Sequence, residues 1–79
     1  MSTPQYIIVG RLRADDRAVL RVASGPLAYK SELEAFSEYR AVTWSESDAL
    51  RRELATLPWL TPDERRTLSL KLEQILNLF

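Results

Sequence analysis

Leu60-Thr-Pro-Asp-Glu-Arg-Arg-Thr-Leu-Ser-Leu-Lys-Leu-Glu-Gln-Ile-Leu-Asn-Leu-Phe79 decides the architecture, because it reads as one amphipathic helix. Thr61 and Glu64 form a capping box: the hydroxyl accepts from the Glu64 N–H, and the carboxylate reaches back to the Thr61 N–H. Pro62 suits the first helical position, where its missing N–H has no partner to lose. Leu68, Leu72, Ile75, Leu76 and Phe79 then recur at the spacing that places them on one side of a helix. Such a stripe has to be covered, so the rest of the chain must supply a surface to pack against it.

Working outward, Trp59 and Leu60 separate this helix from Pro58, which stops a preceding segment because the residue before a proline disfavours the helical region. That segment opens at Ser45-Glu-Ser-Asp48 and shows Leu50, Leu54 and Leu57 at spacings of four and three. Two helices joined this closely are expected to form a tight, angled pair, with Trp44 and Trp59 sealing the core. Further upstream, Ser31-Glu-Leu-Glu34 is a second capping box, and a helix is expected from there to about Tyr39, with Leu33, Phe36 and Tyr39 inward. Residues 27–29 and 41–44 read as connector or short strand.

The N-terminal third has a different period. Tyr6-Ile-Ile-Val9 and Ala18-Val-Leu-Arg-Val22 are rich in β-branched and apolar residues, and Arg13-Ala-Asp-Asp-Arg17 between them supplies turn chemistry. A hairpin with a loop of Ala14 to Asp16 would pair Leu12 with Ala18 and Ile8 with Val22. Its core face would then hold Tyr6, Ile8, Leu12, Ala18, Leu20 and Val22, leaving Arg11, Arg13, Arg17 and Arg21 on the opposite face with Ile7, Val9 and Val19. The fold class expected is α+β: an antiparallel hairpin, with or without a third short strand, packed on three helices in one compact domain over residues 1–79.

Composition removes many chemistries. The chain of 79 residues has no cysteine and no histidine, which excludes thiol nucleophiles, disulfides, zinc held by Cys or His, and the usual general base near neutral pH. It has only two glycines and no phosphate-cradling glycine loop or nucleophile elbow. The adjacent acids Asp15 with Asp16, and Asp63 with Glu64, are accounted for by a turn and a helix start. A domain this small is expected to lack a pocket of the size most small-molecule sites occupy. The reading is a non-enzyme without cofactor or metal. No stretch has the length of a membrane span, and Met1 to Gln5 lacks the flank and apolar run of a signal peptide, so the expected location is the cytoplasm.

Function must then reside in surfaces. Net charge is zero, but four Arg and Lys30 face only two Asp before residue 32, whereas five acids face Arg40 between Glu32 and Asp48. Three candidate partner surfaces follow: the arginine face of Arg11, Arg13, Arg17 and Arg21; an acidic strip of Glu32, Glu34 and Glu38; and the outward side of the last helix, where Leu70 projects among Arg66, Glu73, Gln74 and Asn77. Ordinary solvated faces account for the same residues more simply. A helix-turn-helix DNA reader is disfavoured, because the second helix would lead with Asp63 and Glu64.

The leading expectation is a protein-binding module whose partner is a larger protein or ribonucleoprotein complex. In size alone it is similar to the small proteins with which phages and mobile elements block host defence complexes, anti-CRISPR proteins among them. The alternatives are a nucleic-acid-associated accessory protein using the arginines on phosphates, and a homo-oligomeric regulatory or antitoxin-like subunit joined through Leu70 or the hairpin edge.

Overall fold

The computed structural model describes residues 3–78. It is an α+β fold with a three-stranded antiparallel sheet of order β2-β1-β3 and three α-helices. The strands are β1 (Gln5–Leu12), β2 (Ala18–Ser24) and β3 (Phe36–Thr43); the helices are α1 (Pro26–Leu33), α2 (Ser47–Glu53) and α3 (Pro62–Leu78). The continuous apolar run Ile7-Ile-Val9 makes β1 the central strand, since a strand buried on both faces has no polar alternation to keep. On one face Ile7, Val9 and Val42 pack with Leu50, Leu54, Leu68 and Leu72 from the α2 and α3 side. On the other, Ile8, Ala23 and Phe36 pack with Tyr29 and Leu33 of α1, and the Tyr6 and Tyr29 rings stack at 4.2 Å. The sheet therefore lies between helices on both sides.

The last helix forms as its sequence reads. Glu64 N–H donates to Thr61 Oγ1 at 3.1 Å and Thr61 N–H donates to Glu64 Oε1 at 2.9 Å, so the capping box is closed in both directions. Leu68 and Leu72 are buried, and Leu70 is exposed on the far side. Thr61→Ala removes one half of the box and is expected to cost about 1 kcal/mol. Urea unfolding should show this as a lower midpoint at unchanged slope.

The middle of the chain differs from the sequence reading. The helix expected over residues 31–39 is split between a helix that starts earlier and a strand that follows it. Gly25 has φ 88°, a conformation open to glycine, and Pro26 directly after it occupies the first turn of α1. Residues 27–29 are thus helical and Phe36–Thr43 is extended. The local pattern Glu34…Glu38 resembles a solvated helix face, but the second edge of β1 needs a hydrogen-bonding partner, and Tyr39, Val42 and Thr43 suit a strand. Residues 41–44 fall at the end of β3 and in a 3-10 turn, Trp44–Glu46.

The helix expected to run from Ser45 to Leu57 is also shorter. α2 ends at Glu53, Leu54 N–H still bonds Leu50 O, and the chain then tightens into i→i+3 turns, with Ala55 N–H bonded to Arg52 O and Thr56 N–H to Glu53 O. Residues 54–61 intervene before α3, and a tight α2–α3 pair is not what forms. An ion pair from Arg51 Nε to Glu73 Oε1 at 2.5 Å also links the two helices.

The hairpin forms with a register one residue from the expected one. Ile8 pairs with Arg21, Val9 with Leu20 and Ile7 with Val22. The loop is one residue longer, closed by Asp16 N–H to Leu12 O and by Leu12 N–H to Arg17 O, with Asp16 at φ 57°. Because side chains alternate with a period of two, this slip turns the whole of β2 over relative to β1. Ala18, Leu20 and Val22 share a face with Ile7 and Val9, and Arg21 falls on the other face with Ile8.

Candidate functional surface

The four arginines of the hairpin do not form one surface. Arg11, next to Val9 in period, enters the layer between sheet and α3, where its side chain is 14% exposed. Its guanidinium donates to both carboxylate oxygens of Glu64 at 2.7 and 3.3 Å, to the Trp59 carbonyl at 2.5 Å and to the Asp16 carbonyl at 2.7 Å. It ties the β1–β2 turn, the segment before α3 and the first turn of α3 together. These donors hold the Glu64 carboxyl at about 2, well below its ordinary 4.5, and the bond to Glu64 raises Arg11 in turn. Arg13 is exposed and donates to Glu34 O at 3.3 Å; Arg17 pairs with Asp15 at 3.6 Å; Arg21 is exposed on β2 beneath the α1 side.

The acidic strip is dispersed in the same way. Glu32 is half-buried on α1, Glu34 is exposed just past its end, and Glu38 is exposed on β3 opposite Arg11 in register. Expected on one helix, these three carboxylates lie on a helix, its C-terminal cap and a strand. Arg40 of β3 is engaged with Glu53 of α2, through Nε at 2.6 Å and Nη2 at 3.1 Å, and that bond raises its pKa.

What the structure does bring together is the outward side of α3. Leu70 is 64% exposed and, with Ala55 and Pro62, forms the apolar floor of an open depression of about 720 Å3. Arg65, Arg66 and Glu73 border it. Arg66 pairs with Asp63 at 3.4 Å and Glu73 with Arg51, while Arg65 donates from Nη2 to the Leu57 carbonyl at 2.7 Å. Arg65 Nε is buried without a hydrogen-bond partner. The depression is larger than a domain of this size was expected to offer, but it is an open surface feature, with Arg66 and Glu73 held in ion pairs and Arg65 by a backbone carbonyl. Among the described residues no group of three or more acidic side chains is placed to hold a metal ion.

Leu70 and Arg66 are placed on this side by the sequence reading; Ala55, Pro62 and Arg65 are not. Pro62, Arg66, Leu70 and Glu73 recur at spacings of four, four and three, so a second, outward stripe on the same helix was legible beside the inward one. Ala55 was not, because its place depends on α2 ending at Glu53. Comparison with protein families, with characterised proteins and with solved structures finds no match for this chain.

Proposed function

We propose that this protein is a non-enzymatic module that binds a larger protein through the outward face of α3, with Leu70 as the central contact. The observation that carries the reading is a leucine left 64% exposed on the lining of an open, largely apolar depression bordered by Arg65, Arg66 and Glu73. Such a surface matches the anatomy of a protein interface, an apolar centre inside a polar rim. The charged border supplies orientation, and the leucine supplies the desolvation that drives binding. Among the described residues no helix is long and apolar enough to cross a membrane. A host defence complex is the partner class that chain length brings forward.

The reading in which arginines grip phosphates has no shared surface to stand on, since Arg11 is committed to Glu64 and Arg21 lies on the other face of the sheet. The deciding experiment is a tagged capture from host lysate with nuclease, at low and high salt, run side by side with wild type and Leu70→Glu. A protein retained by wild type at high salt and lost by the folded variant is the expected result. Recovery only of nucleic acid, released by salt, or a partner retained equally by both proteins, overturns the Leu70 interface.

A further inference from the structure

The two edges of the sheet are treated differently. Leu12 N–H donates to Arg17 O and Gly25 N–H donates to Pro4 O, both at 2.8 Å. With the β1–β2 register, these two bonds set the phase of the ladder: Tyr6 bonds with Ala23, Ile8 with Arg21 and Gly10 with Val19. The backbone groups of Ala18, Leu20, Val22 and Ser24 therefore point away from β1, to the outer edge. By the same alternation Ile7, Val9 and Arg11 bond to β3, and the groups of Tyr39, Ala41 and Thr43 face outward on that side.

The β3 edge is obstructed. Arg40 Nη1 donates to the outward carbonyl of Ala41 at 2.8 Å, and the same guanidinium is held by Glu53, so a side chain lies across the middle of that edge. A register irregularity at Arg11/Leu12 distorts its beginning. The β2 edge carries no such device. It has no proline, lysine or bulge, Val22 is 43% exposed, and among the described residues nothing is bonded to the outward groups of Ala18, Leu20, Val22 or Ser24. An open edge of mostly apolar residues is a template for another strand.

We infer that the β2 edge is the dimer interface of this protein, its occupant being β2 of a second copy in antiparallel pairing. A two-fold axis normal to the sheet requires residues with outward backbone groups to oppose one another. Centring it on Leu20 places Leu20 opposite Leu20 of the second copy, Ala18 opposite Val22, and Val19 opposite Arg21. Centring it on Arg21 would set two guanidinium groups directly across the closest pair of the ladder, so Arg21 disfavours that register. The formal net charge of zero imposes no long-range repulsion between copies. The product is a six-stranded sheet of order β3-β1-β2-β2-β1-β3 whose two outer edges are both crossed by Arg40, so association closes at the dimer.

The test is sedimentation of the full chain over a wide concentration range, with residue-resolved amide exchange on the same samples. A monomer–dimer equilibrium is expected. The amides of Leu20 and Val22 should exchange roughly tenfold more slowly, or slower still, as dimer accumulates. The amides of Val19, Arg21 and Ala23, already bonded to β1, should be protected at every concentration. Val22→Pro, which removes an outward donor at an edge position, should sediment as a monomer while keeping its circular dichroism; Leu70→Glu should leave the mass unchanged, which separates this interface from the α3 face. A monomer at all concentrations, or a dimer in which Leu20 and Val22 exchange freely, overturns the inference.

Discussion

Replacing Gly10 by alanine is expected to lower stability by about 3 kcal/mol or more, and to drop the melting temperature by more than about 10 °C. Gly10 lies in the central strand where the Phe36 ring crosses it. A Cβ there would sit 2.5 Å from Phe36 Cδ1 and Cγ and 2.8 Å from Cδ2, far inside van der Waals contact. The ring is 1% exposed and packed with Ile8 and Ala23, so it has nowhere to retreat without moving the α1 layer. A domain of this size commonly has a margin of only about 4–12 kcal/mol, so a loss of this order leaves an appreciable unfolded fraction at physiological temperature. Phe36→Leu in the Gly10→Ala background should recover part of the loss, although a smaller side chain at that site is itself destabilising. Thermal melts within a few degrees of wild type for Gly10→Ala would refute the ring-over-glycine contact.

Removal of the Arg11 side chain is expected to cost about 3 kcal/mol, because it strands the Glu64 carboxylate, the Trp59 carbonyl and the Asp16 carbonyl together. The pair is partly buried, with Arg11 14% and Glu64 24% exposed, so screening by salt should recover little of it. A double-mutant cycle of Arg11→Ala and Glu64→Gln should show coupling well above that of an exposed pair. The same pair sets a pH dependence. Glu64 is held at about 2 when folded and returns to about 4.5 when unfolded. A depressed carboxylate stabilises the fold above its unfolded value, and that contribution is lost as pH falls from 4.5 towards 2, as the unfolded state takes up the proton first. Stability measured by denaturant titration should therefore decline through this window in wild type and decline less in Glu64→Gln. Equal slopes in the two proteins would show that Glu64 is not the group responsible.

Both predictions rest on residues whose roles differ from what their types announce. Gly10 carries no side chain from which a role could be read, and its requirement appears only when Phe36, distant in sequence, is laid over it. Arg11 reads as one of four exposed arginines, and the hydrogen bonds that claim it come from Trp59 and Glu64 at the other end of the chain. Leu70 is the converse case. Its outward position follows from helical periodicity alone, and the structure adds Ala55 and Pro62 as the neighbours that turn one exposed leucine into a surface.

The sequence by itself determined α3 and its capping box, the presence of an N-terminal hairpin, the α+β class and the absence of cysteine and histidine chemistry. These are properties of short windows, in which a cap, a period or a missing residue type acts within one or two turns of chain. Tertiary structure alone decided that residues 36–43 form a strand, that β2 lies one residue out of the simplest register, that residues 54–61 separate α2 from α3, and that Arg11 is internal. The physical reason is common to these cases. Residues 31–39 carry helix signals that are weak beside the hydrogen bonds offered by the open edge of β1, and a single extra loop residue reverses which side of a strand faces the core. Local preference proposes a conformation, and where the preference is slight, the partner that satisfies the backbone and fills the core selects another.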